Sequence, residues 1–332
     1  MVAMAPEHLK EERARLGLSQ QGLADLLNDK LGRRFDKARV SKWESGKEDV
    51  PSLVALCMRT PEVVTRTLCI AVANQKGGVG KTTSSLNLGY ALAAAGNPTL
   101  VVDLDQQCNA TISVGQSPID NDATGHTLYH AMLHGKPVID AIHPVKDAKG
   151  LDVLGNGQFM ARFEIEAVSA IERERLLART LKPVLDRYRF IIIDCPPSMS
   201  IATTNALFFV DWVLIPTQTE ALSVTGIPLL LSHIELIAAA ANPDLRVLGI
   251  LPTMFKARNR TDQYWFEYIE NQYGQTYTVF PPVPQTTAYP TSVDAQRIAF
   301  EMVPEAKGLE SYGVVAERLV EIARLKREAM HG

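Results

Sequence analysis

The chain has 332 residues, 46% hydrophobic and 21% charged, with a formal net charge of −3. That length carries one α/β domain of about 250 residues and a small satellite, and the composition excludes a largely disordered chain. The charge is uneven: residues 1–66 hold 12 Lys+Arg against 10 Asp+Glu, leaving 22 against 27 for the rest. Nucleic-acid contact by the larger part therefore needs a local basic patch, since its overall field repels phosphate.

Asp211 interrupts the apolar run 201–215, and His233 and Glu235 interrupt 222–241, so neither reads as a membrane span. Glu7, Glu11 and Glu12 deny the N-terminus a secretory signal. A cytoplasmic location is expected. Cys57, Cys69, Cys108 and Cys195 lie far apart with no C-x-x-C pair, which favours buried thiols over a disulfide framework or a metal cluster.

In chain order, residues 7–56 read as short charged helices separated by Gly-bearing turns, with no strand-like run. Ser19 is placed to cap the second helix, and a third is expected from about Asp36 to Ser45. Leu16, Leu18, Leu23, Ala24, Leu27, Val40 and Trp43 are the expected small core. Residues 58–66, with Pro61, read as a linker. From Thr67 apolar β-type segments alternate with amphipathic ones: strands are expected at 67–74, 100–103, 151–155, 190–194, 211–216 and 246–251. That alternation predicts a doubly wound, mostly parallel α/β sheet with helices on both faces, joined to a small all-α front module. A last helix is expected over about 309–330.

Directly after the first strand stands KGGVGKTT, 76–83, opening a helix. This is a P-loop: the backbone of Gly77, Gly78, Val79, Gly80 and Thr83 cradles phosphate oxygens, Lys81 neutralises them, and Thr82 offers an oxygen to Mg²⁺. Asp194 ends the strand FIIID, while Asp103 and Asp105 end and follow LVVD. Open parallel sheets place ligands beyond such strand ends, so these acids are candidate metal and phosphate-side groups.

Lys76, five residues before Lys81, makes the loop a deviant Walker A, and KGGVGKTT, DLDQQCNAT and IIIDCPPS together resemble the partition branch of the ParA/MinD ATPases. The resemblance covers about residues 67–327. It implies an ATP/ADP and Mg²⁺ site that hydrolyses ATP slowly, an ATP-bound homodimer in which Lys76 reaches the partner's phosphates, Asp105 orienting the attacking water, Asp103 and Asp194 nearer the metal, and Thr253 and Pro281 near the base. It further implies a ParB-like centromere-binding partner and nonspecific binding to DNA. Lys256, Arg258 and Arg260 match one DNA-binding region of relatives, a solvated charged loop being the other reading; in 280–290, Pro282 and Gln285 stand where relatives tend to carry arginine, and Arg297 and Lys307 are candidates to compensate.

Residues 8–50 resemble a Cro/C1-type helix-turn-helix, on SQQGLADLL and VSKWESGK. The resemblance implies that Lys37, Arg39, Ser41 and Lys42 face the major groove of a specific operator, with Gln20 on a phosphate and autorepression as the role. The insert LNDKLGRRF is longer than the usual turn and brings Arg33 and Arg34 near the backbone. A helical docking module that never meets DNA is the alternative. The last helix ends in KREAMHG without a bulky apolar face, which argues against a membrane-targeting tail and hence against the MinD branch.

Overall fold

The computed structural model describes residues 4–58, 66–303 and 308–331, and side chains as far as Leu325. Lys307 and most of the expected linker lie outside these residues. Seven strands form one sheet in the order β3-β4-β2-β5-β1-β6-β7: β1 Leu68–Val72, β2 Thr99–Asp103, β3 Ile142–Pro144, β4 Leu151–Leu154, β5 Phe190–Asp194, β6 Trp212–Gln218 and β7 Arg246–Thr253. All neighbours run parallel except β3, which pairs antiparallel with β4 at the edge. The six expected strands are present. The three-residue β3 had no period of its own to reveal it.

The pleat decides which side each residue serves. Leu68, Ile70 and Val72 of β1, Val101 of β2 and Ile192 of β5 join one core layer, while Cys69, Ala71, Leu100, Val102, Ile191 and Ile193 join the other. Both faces are thus apolar, as helices on both sides require. On the first face lies α5, Lys81–Ala94, which starts at the P-loop. Gly89 lets it approach: an added Cβ would stand 2.9 Å from Val101 Cγ2 and 3.1 Å from Leu151 Cδ1. Gly89→Val is expected to destabilise by about 1–3 kcal/mol through overpacking, which exceeds the helix-propensity gain of less than 1 kcal/mol; urea midpoints check it.

Four helices precede the sheet: α1 Pro6–Arg15, α2 Gln20–Leu31, α3 Lys37–Glu44 and α4 Ser52–Met58. Ser19 Oγ accepts from the Gly22 amide and Asp36 Oδ1 from that of Arg39, so α2 and α3 begin at side-chain caps. Leu23, Ala24, Leu27, Val40 and Trp43 are buried and Leu18 is half-buried, but Leu16 is exposed, a correction. Leu16 is the C-cap of α1, where the chain turns outward; Leu9, one turn from the start of α1, fills the core instead.

The front module's apolar core runs on into the large domain. Leu53 of α4 packs against Gly313 in the last helix, Leu309–His331, while Cys57 Sγ lies 3.9 Å from Ala94 O at the end of α5. Arg33 pairs with Glu310 of the same last helix at 3.1 Å. Val315, Leu319 and Ile322 of that helix are buried, as its spacing predicts.

One stretch, Ala221–Ala240, is long and apolar enough by length and composition to cross a membrane. It breaks near Thr225, and its second part, Ile227–Ala240, turns Ile227, Leu230, Leu231, Ile234 and Ile237 into the core.

Candidate nucleotide site

The P-loop bends where glycine allows it: Gly78 has φ +74° and Gly80 φ +83°, conformations costly to residues with a Cβ. The loop is pinned from outside. Thr253 Oγ1 donates to Val79 O (2.9 Å), Gln218 Nε2 to Gly78 O (3.2 Å), and Asn74 Oδ1 accepts the Lys76 amide (3.0 Å) while Asn74 Nδ2 donates to Pro216 O. The ends of β1, β6 and β7 therefore hold one anion-sized nest before any ligand arrives.

Lys81 is buried and donates to Lys76 O at 2.9 Å. Burial pulls its ammonium below the ordinary lysine value, opposed by Asp194 and Asp105. A cation kept in a poorly solvated nest is stabilised by an arriving phosphate. Lys81, Thr82, Thr83, Gly77, Gly78, Gly80 and Asp105 line a cleft of about 430 Å³, together with Asn87, Pro197 and Arg297 among others.

Asp194 is fully buried at the end of β5; Oδ2 accepts from Thr82 Oγ1 (2.7 Å) and Oδ1 from Ser85 Oγ (3.0 Å). Burial, then the charge of Asp103, pushes its carboxyl up to about 7. A buried carboxylate beside a Thr hydroxyl and a lysine, with too little positive charge to keep it ionised, fits a site that takes a hard cation. Ser85 was not anticipated; it sits one helical turn after Lys81 on the face that α5 turns to the sheet.

Asp103 pairs in register with Asp194 on the neighbouring strand. It is fully buried and is not among the residues that line the cleft, its Oδ2 accepting from Thr111 N (2.8 Å) and Oγ1 (2.6 Å), its Oδ1 from the Asp105 amide (3.3 Å). These bonds tie it to both ends of the 105–111 segment. Asp105 does reach the cleft, held by the Gln107 amide on Oδ1 at 3.0 Å.

Lys76 sits at the rim. Its ammonium pairs with Glu220, beyond β6, rather than turning into its own cleft. Beside the P-loop a smaller cleft of about 220 Å³ is lined by Thr83, Thr253, Val283, Pro284, Tyr289 and Tyr312 among others. Thr253 lines this smaller cleft, with Val283 and Pro284, while Pro281 is exposed and lines neither cleft.

Of the residues expected at DNA, Lys37, Arg39, Ser41 and Lys42 are exposed on α3, but Arg39 and Lys42 both pair with Glu48 at 2.8 Å. Gln20 does not face outward: its Nε2 donates to Glu44 Oε2 at 2.8 Å, beside the Arg13–Glu44 pair. Lys256 and Arg258, on the turn after β7, and Arg260, the first residue of the helix Arg260–Tyr273, are all exposed. Arg297 instead lines the main cleft and pairs with Glu301.

A family model described as an AAA domain (AAA_31) matches residues 67–247. The chain is 36% identical over 252 residues to the chromosome partitioning protein ParA of Myxococcus xanthus, covering 76% of this chain and 87% of that one. It is 43% identical over 189 residues to the sporulation initiation inhibitor protein Soj of Bacillus subtilis, covering 57% and 73%. Among solved structures, cobyrinic acid a,c-diamide synthase of Mycobacterium smegmatis with a bound ATP analogue and magnesium superposes with a TM-score of 0.66 at 30% identity, over 76% of this chain and 93% of that one. On the family match and on the identity to the Myxococcus xanthus protein over most of both chains, the chain belongs to the ParA-type family of partition ATPases.

Proposed function

We propose that the chain is an ATP-dependent DNA-partition ATPase of plasmid or chromosome segregation: it binds ATP or ADP with Mg²⁺, dimerises on ATP, holds DNA nonspecifically and is reset by a ParB-like centromere-binding partner. The observation that carries the reading is the division of labour between two lysines of one loop. Lys81 lines the chain's own cleft; Lys76 is held at the rim by Glu220, outside it. A rim lysine is available to a second subunit's phosphates, opposing the charge that gathers on a transferred phosphoryl group. Thr82 and Asp194 would hold Mg²⁺, which supplies charge compensation on the phosphates. Asp105 orients water, Asp103 keeps Asp105 in place, and the Thr253 cleft takes the base.

Nonspecific DNA contact falls to Lys256, Arg258 and Arg260, and operator contact with autorepression to α3. A cytoplasmic, nucleoid-associated protein follows. The second reading, a nucleotide-switched repressor without a segregation role, is favoured by Pro282 and Gln285, which leave the large domain poor in cations there.

Removing residues 1–66 to separate the two readings would strip α4 from the last helix and expose the core around Gly313 and Ala94. Charge removal avoids this. With ATP, Lys256→Ala/Arg258→Ala/Arg260→Ala is expected to lower the log K against log salt slope on random duplex DNA by up to about 2.7, about 0.9 per lost phosphate contact. Lys37→Ala/Arg39→Ala/Lys42→Ala should spare most of that ATP-dependent binding. If the α3 variant alone abolishes it, the repressor reading replaces partition; if ATP changes neither sedimentation nor DNA affinity of the wild type, the switch is abandoned.

A further inference from the structure

The front module carries a cleft of its own, about 480 Å³, lined chiefly by Arg33, Arg34, Phe35, Asp36, Arg39 and Lys42. It forms because Gly32, at φ +62°, ends α2 in a left-handed turn and sends the two arginines back over the start of α3. Four cations line it with one acid, and that acid is committed: Asp36 caps α3 through the Arg39 amide. Arg39 and Lys42 share the single carboxylate of Glu48. Arg34 is exposed and makes no ion pair among the described residues. Arg33 spends Nη1 on Glu310 of the last helix, and its Nε is buried without a hydrogen-bond partner.

Three arginines and a lysine lining one cleft match a ligand with several anionic acceptors in a small volume, and arginine forks suit phosphate best. The cleft adjoins Lys37 and Ser41 of α3, the row that the proposed function sets in the major groove, and a strand's backbone runs beside any helix seated there.

Resting on that reading, we propose that this cleft is a phosphate seat for the backbone of duplex DNA, and that Glu310 of the ATPase's last helix competes with DNA for Arg33. Engagement of DNA then loosens a tie between the front module and a helix whose Tyr312 hydroxyl lies 3.4 Å from Ser84 Oγ in α5. The longer turn is what supplies the seat: without Arg33 and Arg34 only α3 would face the phosphates.

The test is anisotropy of the full chain with a random 30-base-pair duplex across a salt series, without nucleotide. Arg34→Ala is expected to lower the slope by about 0.9 and Arg33→Gln/Arg34→Ala by up to about 1.8, while Glu310→Gln tightens binding a few-fold. Arg34 is exposed, so its variant keeps the fold, and a melting curve verifies this. A slope unchanged in both arginine variants overturns the seat. Under that result, a titration with inorganic phosphate whose heat disappears in Arg34→Ala would reassign the cleft to a free anion. If the wild type binds no duplex at all, the DNA reading of the front module fails together with the seat; if it binds with a slope indifferent to Arg33 and Arg34, only the seat fails.

Discussion

Lys76→Ala is expected to bind ATP with near wild-type affinity and to lose turnover by at least about 10³-fold, in the range measured for charged fingers supplied in trans. The argument is geometric. The groups that line the chain's own cleft are Lys81, Thr82, Thr83 and the loop glycines, so ground-state binding survives without Lys76. What disappears is charge needed only in the transition state, which lowers kcat rather than affinity. Trans action is separable from cis action by mixing. Lys76→Ala keeps its own Asp105, and Asp105→Ala keeps its own Lys76. A mixture of the two inactive variants should therefore recover a measurable part of the wild-type rate through heterodimers. A mixture that stays inactive would place Lys76 in its own site. Glu220→Gln is the companion: it frees Lys76 from a partly exposed pair worth about 0–1 kcal/mol, so turnover should rise no more than about fivefold.

The second large effect concerns Asp194. Its carboxyl is raised to about 7 and that of Asp103 to about 6, both first by burial, against an ordinary value near 4. The folded chain therefore holds protons that the unfolded chain has released between about pH 4 and 7, and without ligand its stability should fall as pH rises through that window. Mg²⁺ with nucleotide favours the ionised carboxylate and should offset the loss above pH 7. Asp194→Asn is expected to flatten the dependence of Tm on pH, because the residue can no longer ionise and its amide oxygen still accepts from Thr82 or Ser85. The same variant should forfeit the stabilisation by Mg²⁺ and ATP, about 2.7 kcal/mol at a hundredfold excess over Kd. Scanning calorimetry at pH 5.5 and 8, with and without Mg²⁺ and ATP, reads both effects. An unchanged ligand-induced shift in Asp194→Asn would remove Asp194 from the metal group.

Much of this molecule is local and so was legible in the chain. The P-loop is eight consecutive residues whose glycines, lysines and threonine act through their own backbone, and its strand-loop-helix setting lies within thirty residues. The six parallel strands announced themselves as apolar β-type runs, and α2 by the cap at Ser19. Leu16 misled because hydrophobic identity does not say which way a chain turns after a helix ends.

The sequence by itself therefore determined the fold class, the nucleotide loop and the three acids that gather near it. Only the tertiary structure decided how those acids differ: sheet order sets Asp103 beside Asp194, but Thr111 turns Asp103 into a buried anchor while Asp105 emerges into the cleft. It also decided that Lys76 belongs to Glu220, 144 residues away, and that the front module shares a core with the last helix. These are contacts between distant segments, and their geometry depends on which strands become neighbours and how helices cross them. No periodicity or motif along the chain carries that information, because it is produced by packing.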